Sequence, residues 1–303
     1  MPLVRQTWLC KKKDRYAALR MIAPKGKKQV RFEVVEAVSE SGLGFDPAGF
    51  SKGGNATCPF CGTVADSDYV KGEGRAKRMG QQMMAIVCTR PGRQGKVYLS
   101  ADDCPDFAPD DAAIRQRIEA LCQRTGLTVP SEPIITDAKN SCWTHLYGLT
   151  IFGDLFTPRQ KLCLLTFAAA VREAQAAVKQ AGVDEDRAKA VATCLGSMVD
   201  KLSDFCSTLC VWNCTGGRGV KNSFGRQALP MTWDFSETTP FNAAGASWVA
   251  VVEDIPAAIN LLISACDLPA TVARGSATAL PWPDTSFDAV VTDPPYYDNV
   301  PYA

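Results

Sequence analysis

Near the end of the sequence, a carboxylate, two prolines and a tyrosine follow an apolar run in "FDAVVTDPPYYDN". These residues are Asp293, Pro294, Pro295 and Tyr296. The prolines lack backbone N–H groups and keep the chain extended, which leaves the Asp293 carboxylate and nearby carbonyl oxygens free to accept hydrogen bonds. Tyr296 adds a flat ring beside them. The tetrapeptide therefore suits a planar group that carries –NH₂. The structural alternative is a proline-rich turn that only ends a strand, with Tyr296 packed on the core.

A pair of cysteines forms the second group with recognisable chemistry. Cys58 and Cys61 in "CPFCG" have the spacing of a zinc knuckle, with Gly62 relieving the tight backbone. A structural zinc site needs four ligands, and the sequence has no second CxxC. Cys142 and His145 in "CWTH" repeat the spacing and complete a formal tetrad. Three further substitutes, for which buried thiols are the simpler expectation, are Cys10, Cys88 and Cys104.

The remaining cysteines and the single histidine predict no further site. Cys206, Cys210 and Cys214 fall at helical spacing, which is typical of one apolar helix face. His145 has no nucleophile motif near it, so we interpret it as structural. Thirteen scattered cysteines without a signal peptide indicate reduced thiols in a cytoplasmic protein.

Length and charge restrict the possible classes. A chain of 303 residues with 46% apolar content can form two or three domains with real cores. The net charge of +1 gives no overall signal for nucleic acid or membrane. The sequence predicts no apolar run of spanning length, so we do not expect a membrane protein. A basic ribbon nevertheless runs from residue 5 to 31, with ten Lys or Arg against Asp14 alone. It is either a solvated face or a surface for phosphates.

Three segments of different texture must position these groups. Residues 1–110 are basic and contain short β-type runs such as "QVRFEVVEAV" and "KVYLS". Residues 111–230 are predicted to be helical: one helix covers "DAAIRQRIEALCQRTG", a second starts with Thr157 as N-cap and Pro158 and ends at Gly182, and a third covers "DEDRAKAVATCLGSMVDKLSDFCSTLCVW". Residues 231–303 alternate short apolar runs with a helical run, which favours a βαβ-type parallel sheet.

Within that last segment, "DAVVT" is predicted to be a buried strand, so that Asp293 lies at a strand's carboxyl end, where α/β sheets bind ligands. "SWVAVVE" fits a strand or a helix equally well. Only as a strand would it bring Glu253 within reach of a ribose hydroxyl.

Four stretches together resemble one known family. "PLVRQTWL", "FGDLFTPRQ", "RQALPMTWDF" and "TDPPYYDNVPYA" are similar to adenine-specific DNA methylases that contain a zinc ribbon, and the similarity covers most of the chain. The resemblance implies an α/β fold: a partial Rossmann-like methyltransferase sheet in 231–303, a helical insertion in 111–230, and a small β-rich region with half a zinc ribbon in 1–110.

The resemblance also implies an activity, namely methyl transfer from S-adenosylmethionine to the exocyclic amino group of a DNA base, with adenine N6 as the expected acceptor. Asp293 and the Pro294 carbonyl would accept the two amino hydrogens, while Tyr296 would stack on the flipped base. Related enzymes that modify protein glutamine carry Asn in place of this Asp, which favours nucleic acid. Ser276 and Glu253 would approach the cofactor, and Cys58 and Cys61 would be zinc ligands.

One expected part of this family is missing from the sequence. Two stretches, "FDPAGFSKGG" and "PFNAAGASW", imitate the glycine-rich cofactor loop, but neither has the required strand-loop-helix context. We therefore expect the chain to be the later part of a longer enzyme, with DNA and further subunits of a modification or defence system as partners. The alternative is a non-catalytic nucleic-acid-binding or assembly fragment that grips phosphates through the basic ribbon and a loop containing Arg218, Lys221 and Arg226.

Overall fold

The computed structural model describes residues 1–49, 53–92, 94–107, 110–136, 142–216, 219–225, 228–242, 247–265, 268 and 270–293. Over these ranges the chain is mixed α/β, with short strands in small antiparallel sheets and five α-helices. The strands are Trp8–Lys12 (β1), Arg15–Ile22 (β2), Arg31–Ala37 (β3), Ala56–Thr57 (β4), Val64–Ala65 (β5), Ala85–Thr89 (β6), Lys96–Ser100 (β7), Val211–Trp212 (β8) and Val220–Lys221 (β9). The helices are Ser67–Arg75 (α1), Asp111–Thr125 (α2), Pro158–Gln180 (α3), Glu185–Ser203 (α4) and Trp248–Ala265 (α5).

The largest sheet has the order β1-β2-β3, and its central strand is buried on both faces. Ala17 and Leu19 of β2 point to one face, and Ala18 between them packs with Trp8 and Leu43 on the other. Two alanines in succession suit this position because both faces are covered closely. The tight β1–β2 turn contains Asp14 at a φ of 59°, a left-handed conformation that Asp tolerates better than most residues.

One face of this sheet is covered by the hairpin of β6 and β7 and by a segment distant in sequence. Tyr98 of β7 packs with Leu9, Leu19 and Phe32 in a buried cluster, and Trp212 of β8 borders it. The Trp212 indole N–H donates to the Leu9 carbonyl at 2.8 Å, and the Lys11 N–H donates to the Cys214 carbonyl at 2.7 Å. The basic, β-rich N-terminal region therefore packs directly against residues 211–214.

The first two of the three helices predicted in residues 111–230 are confirmed. Helix α2 ends at Gly126, which has a φ of 67°, and its buried face packs on α3. Helix α3 begins with a capping box, in which the Gln160 N–H donates to the Thr157 hydroxyl and the Thr157 N–H donates to the Gln160 side chain. Pro158 occupies the first helical position, and Gly182 follows the end of the helix with a φ of 80°.

The third predicted helix is shorter than the sequence suggested. Helix α4 ends at Ser203, and the chain then passes through turns into β8. Cys206 and Cys210 are buried there, as expected of structural thiols, but Cys214 lies beyond β8 and is only partly buried. The prediction of one helix face for all three is wrong, because the Asp204 side chain and carbonyl accept hydrogen bonds from residues 222–224 and hold a turn at this point.

The described residues 247–293 do not form the predicted parallel sheet. "SWVAVVE" belongs to helix α5, and "DAVVT" has no strand partner among these residues. Val290 and Val291 are 74% and 95% exposed, so the expected buried strand is not observed. A strand needs neighbours to pair its backbone groups, and the described chain supplies none here. A Rossmann-like sheet therefore remains an expectation from the resemblance.

Helix α5 corrects the expectation that no apolar run reaches spanning length. Among the described residues it is one helix of 18 residues whose mean hydropathy, 1.5, meets the length and composition criteria for crossing a membrane. Only 6% of it is buried. Core helices of other proteins meet the same criteria, so a single such helix says little about location, and the expectation of a cytoplasmic chain without a membrane partner stays a prediction.

Candidate functional site

Asp293 is the last described residue, and it is exposed. Its carboxylate makes no hydrogen bond or ion pair with another described residue. The other members of the tetrapeptide, Pro294, Pro295 and Tyr296, lie outside the described residues. Upstream, Trp282 and Phe287 pack edge to face with ring centroids 5.4 Å apart, which gives this segment a small aromatic contact of its own. Because the Asp293 carboxylate has no partner among the described residues, it can accept a hydrogen bond from a ligand.

The two predicted cofactor contacts are not brought together with Asp293. Glu253 is exposed in the second turn of α5. Ser276 is also exposed, and its hydroxyl accepts from the Thr278 N–H at 3.2 Å in a local turn that pairs it with Ala279. Within the described part of the chain, no hydrogen bond or ion pair joins Glu253, Ser276 and Asp293. The alternative left open for Glu253 is resolved in favour of the helix, which removes the basis for its role at a ribose.

The two glycine-containing stretches differ in their surroundings. "FDPAGFSKGG" is followed by β4 and not by a helix, as expected from the sequence. Residues 50–52 of this stretch are not described. "PFNAAGASW" leads directly into α5, so the expectation that no helix follows this stretch is wrong. The strand that should precede it is still not found in residues 228–242, whose only β contacts are isolated bridges. Residues 243–246 of this stretch are not described.

The cysteine pair forms the turn predicted for a zinc knuckle. Strands β4 and β5 flank it, the Cys58 N–H donates to the Thr63 carbonyl at 2.8 Å, and the Gly62 N–H donates to the Cys58 carbonyl at 2.9 Å. Gly62 has a φ of 74°, which confirms its predicted role in the tight backbone. Cys61 is exposed, and hydrogen bonding with Thr63, and then with Cys58, lowers the pKa of its thiol. The hairpin thus presents two neighbouring thiols at the surface.

The other ligands considered for zinc lie elsewhere. Among the described residues, no three His, Cys, Asp or Glu side chains are grouped as a metal site would need. Cys142 packs in the cluster around Leu155, and Cys10 is buried beside Tyr98. His145 lies in the short 3-10 helix Thr144–Tyr147, and its Nδ1 is buried without a hydrogen-bond partner among the described residues. The formal tetrad with Cys142 and His145 is therefore not assembled.

The basic ribbon separates into two lysine clusters at opposite ends of β2. Lys11, Lys12 and Lys13 surround the β1–β2 turn, whereas Lys25, Lys27 and Lys28 lie in the β2–β3 connection, and all six are exposed. Eight residues of strand separate the clusters by roughly 27 Å. Three cations of the ribbon are paired with carboxylates, in Lys11–Glu40, Arg20–Glu33 and Arg31–Asp102. In the loop also proposed for phosphates, Lys221 belongs to β9, but Arg218 and Arg226 lie outside the described residues.

Sequence reasoning missed one feature of the first cluster. Lys12 and Arg15 border a cleft whose opposite wall is Lys96 at the start of β7, together with Trp212. These residues come from three segments that are far apart in sequence, and no local motif predicts that they meet. The only local signal is that glycines stand beside the loops concerned, at Gly95 and Gly219.

No protein-family model, curated protein or solved structure matches this chain, so the comparisons leave the resemblance as an expectation.

Proposed function

We propose that this chain takes part in methyl transfer to the exocyclic amino group of a DNA base, most specifically adenine N6. The observation that carries the proposal is the run of Asp293, Pro294, Pro295 and Tyr296. It is supported by the exposure of Asp293, whose carboxylate has no hydrogen-bond or ion-pair partner among the described residues. A carboxylate with a satisfied salt bridge would have opposed this role. Here the carboxylate is available to a ligand.

In this proposal the residues of the chain hold the acceptor amine. The Asp293 carboxylate and the Pro294 carbonyl accept its two hydrogens, and the prolines keep both acceptors in a stiff extended backbone. Accepting both hydrogens directs the nitrogen lone pair away from the ring plane, towards an incoming alkyl group. Tyr296 stacks on the base after it leaves the helix, which offsets part of the unstacking cost. Catalysis by such a site is mainly positioning.

S-adenosylmethionine would supply an electrophilic methyl group to such a site, but the residues predicted to contact it do not fit. Glu253 and Ser276 are exposed and unconnected, and neither glycine-containing stretch has the strand-loop-helix context in the described ranges. Zinc fits only in part, because Cys58 and Cys61 supply two of four ligands. The proposal therefore assigns to this chain the amine-holding residues, and it requires the cofactor pocket to include residues beyond those described or a second chain.

The test uses cells that carry the native gene, since these hold whatever completes the site. Methylated nucleosides in total DNA are measured by mass spectrometry in the wild type, a gene deletion and an Asp293→Ala strain. We expect the deletion to lose one modified base and Asp293→Ala to lose it as completely, because the amine loses its carboxylate acceptor. Asp288→Ala, five residues upstream and equally exposed, serves as the matched control and should retain the modification.

Two results would overturn the proposal. One is an unchanged set of modified bases after deletion of the gene. The other is a modification that survives Asp293→Ala at the wild-type level with normal protein abundance.

A second candidate, binding of nucleic acid without catalysis, is favoured by the two lysine clusters. Within the described part of the chain, Lys12 and Lys13 at one end of β2 and the three lysines at the other end form no ion pair. Such lysines are suited to contacting phosphates at either end of the sheet. The same strains separate the candidates. Binding alone predicts that the modified bases stay the same in all strains, while purified Asp293→Ala protein binds DNA as the wild type does.

A further inference from the structure

Three hairpin ends meet around the cleft noted above. The β1–β2 turn contributes Lys12 and Arg15, the start of β7 contributes Lys96, and the β8 segment contributes Trp212. We call this the basic cleft and define it by these four residues. Its floor includes Tyr98, which belongs to the main buried cluster of the sheet. The cleft is thus built directly on a buried cluster of the sheet.

Arg15 is held in place from two sides. Its Nη2 donates to the Lys96 carbonyl at 2.5 Å, and its guanidinium lies 5.8 Å from the centre of the Tyr98 ring. A side chain at Gly95 would contact the guanidinium, so the glycine allows this close approach. One carbonyl uses only part of the five N–H donors of an arginine. The remaining donors are available to a ligand in the cleft.

Lys96 is positioned by an aromatic ring instead of a carboxylate. Its Nζ lies 4.4 Å from the centre of the Trp212 ring, and Trp212 is itself fixed by its bond to the Leu9 carbonyl. Gly219 passes close to both, and a side chain there would meet the ammonium and the ring. A cation–π contact orients a lysine without neutralising it. The ammonium keeps its charge and its three donors.

The cleft concentrates positive charge without a counter-charge. No Asp or Glu is among the described residues that line it, and Lys12, Arg15 and Lys96 form no ion pair in the described part of the chain. Burial, and then the charge of Lys12, lowers the pKa of Lys96. Glu40, which could have served the first cluster, is taken by Lys11 at 3.0 Å. Like charges held together by packing are destabilising unless an anion joins them.

The size of the cleft limits the anion. Its volume is about 150 Å³, whereas sites for drug-sized ligands and cofactors occupy roughly 300–1,000 Å³. A whole nucleotide is too large for this cleft, but a single tetrahedral phosphate group fits it. Arg forks and lysine ammonium groups are the usual ligands of phosphate oxygens.

We propose that the basic cleft is a binding site for a single phosphate group, held by Lys12, Arg15 and Lys96. The phosphate belongs either to a nucleic-acid backbone or to a free phosphate ion, and the chemistry of recognition is the same. The site does not depend on methyl transfer. It rests on the nucleic-acid-binding candidate only if the phosphate proves to be a phosphodiester.

The experiment measures two ligands on the purified full chain. Inorganic phosphate is titrated at constant ionic strength and followed by calorimetry, and a fluorescein-labelled oligothymidylate is titrated over a range of salt concentrations and followed by anisotropy. The test variant is Lys12→Gln with Lys96→Met, which removes two charges and keeps a side chain over Trp212. The matched control, Lys27→Gln with Lys28→Gln, removes two exposed lysines from the other cluster. Circular dichroism checks that both variants fold.

We expect the test variant to bind at least one ligand roughly tenfold or more weakly, because it loses hydrogen bonds from charged groups. A loss seen with inorganic phosphate alone identifies a free anion as the ligand. A loss seen with the oligonucleotide, together with a salt slope reduced by about 0.7 per lost contact, identifies a backbone phosphate. Equal affinities of the test and control variants for both ligands, or no binding of either ligand to the wild type, would refute the site.

Discussion

Lys96 combines two conditions that usually oppose a positive charge. It is partly buried, and Lys12 lies close enough to lower its pKa further after burial has done so. Trp212 opposes these effects with a cation–π contact of about 0.5–1 kcal/mol where solvent is near. Side chains kept in this way are commonly retained for function at some cost in stability. We therefore expect the charge of Lys96 to favour ligand binding in the basic cleft and to lower the stability of the folded chain.

The stability prediction concerns Lys96→Met. Because the pKa of Lys96 is lower in the folded than in the unfolded chain, the folded state binds fewer protons between the two pKa values, and the free energy of unfolding rises with pH in that range. At neutral pH the charge is present and its full cost applies. Methionine removes the charge and keeps a favourable contact with the ring. We expect a Tm at pH 7 that is higher by a few degrees at most, measured by differential scanning calorimetry without phosphate.

Lys27→Met is the control for this measurement, because Lys27 is exposed and forms no ion pair within the described chain. Its Tm should match the wild type. A Tm of Lys96→Met clearly below both would mean that the contact with Trp212 outweighs burial and repulsion, and the argument from unbalanced charge would fail.

Individual residues differ in how far the sequence reveals their role. Asp293 stands in a contiguous motif, and the Gly62 turn follows from local spacing, so both could be read directly. The basic cleft could not, since Lys12 and Trp212 are 200 positions apart and meet because hydrogen bonds of Trp212 and Cys214 join their segment to β1. Sequence patterns report local geometry, whereas this site depends on packing between hairpins.

At the scale of elements, the β4–β5 hairpin has the form of a knuckle without a second half among the described residues. Two thiolates bind zinc weakly, because structural sites use four ligands. We expect the purified monomer to contain well under one zinc per chain after dialysis, measured by inductively coupled plasma mass spectrometry. Cys58→Ser should not change that content. A stoichiometric zinc content that is lost in Cys58→Ser would show that two further ligands complete the site.

Elements with their own start and stop signals were predicted well. Helix α3 has a cap, a first-turn proline and a closing glycine, and each acts as expected in the structure. Helix α5 lacks such signals, and its apolar run fits a helix or a strand, which periodicity alone cannot separate. The prediction of a buried strand at "DAVVT" is not met for another reason. A strand is defined by its partners, and the described residues provide none.

At the scale of the whole molecule, the regions proposed to bind phosphate and to contact the cofactor differ in how well they are packed. The core of the N-terminal sheet is well packed beneath its exposed lysines, whereas α5 and the described residues 270–293 are largely exposed, with Leu261 and Leu262 both 70% exposed. The predicted cofactor contacts belong to this exposed part. A pocket for S-adenosylmethionine needs convergent walls, which these residues do not form.

The purified chain alone should therefore not bind S-adenosylmethionine detectably in isothermal titration calorimetry. Sinefungin is an analogue of S-adenosylmethionine that has the same outline but lacks the sulfur atom. It provides an independent check and should also give no heat of binding. Micromolar affinity for either ligand would mean that residues 243–246 or 294–303, which the structure does not describe, complete a pocket within this chain.

The most direct test of the central claim is the content of methylated nucleosides in DNA from cells with the native gene, compared between wild type, Asp293→Ala and Asp288→Ala. If Asp293 holds the acceptor amine, its variant loses the modified base while Asp288→Ala keeps it, with equal protein levels. A modified base that persists at the wild-type level in Asp293→Ala would contradict the claim.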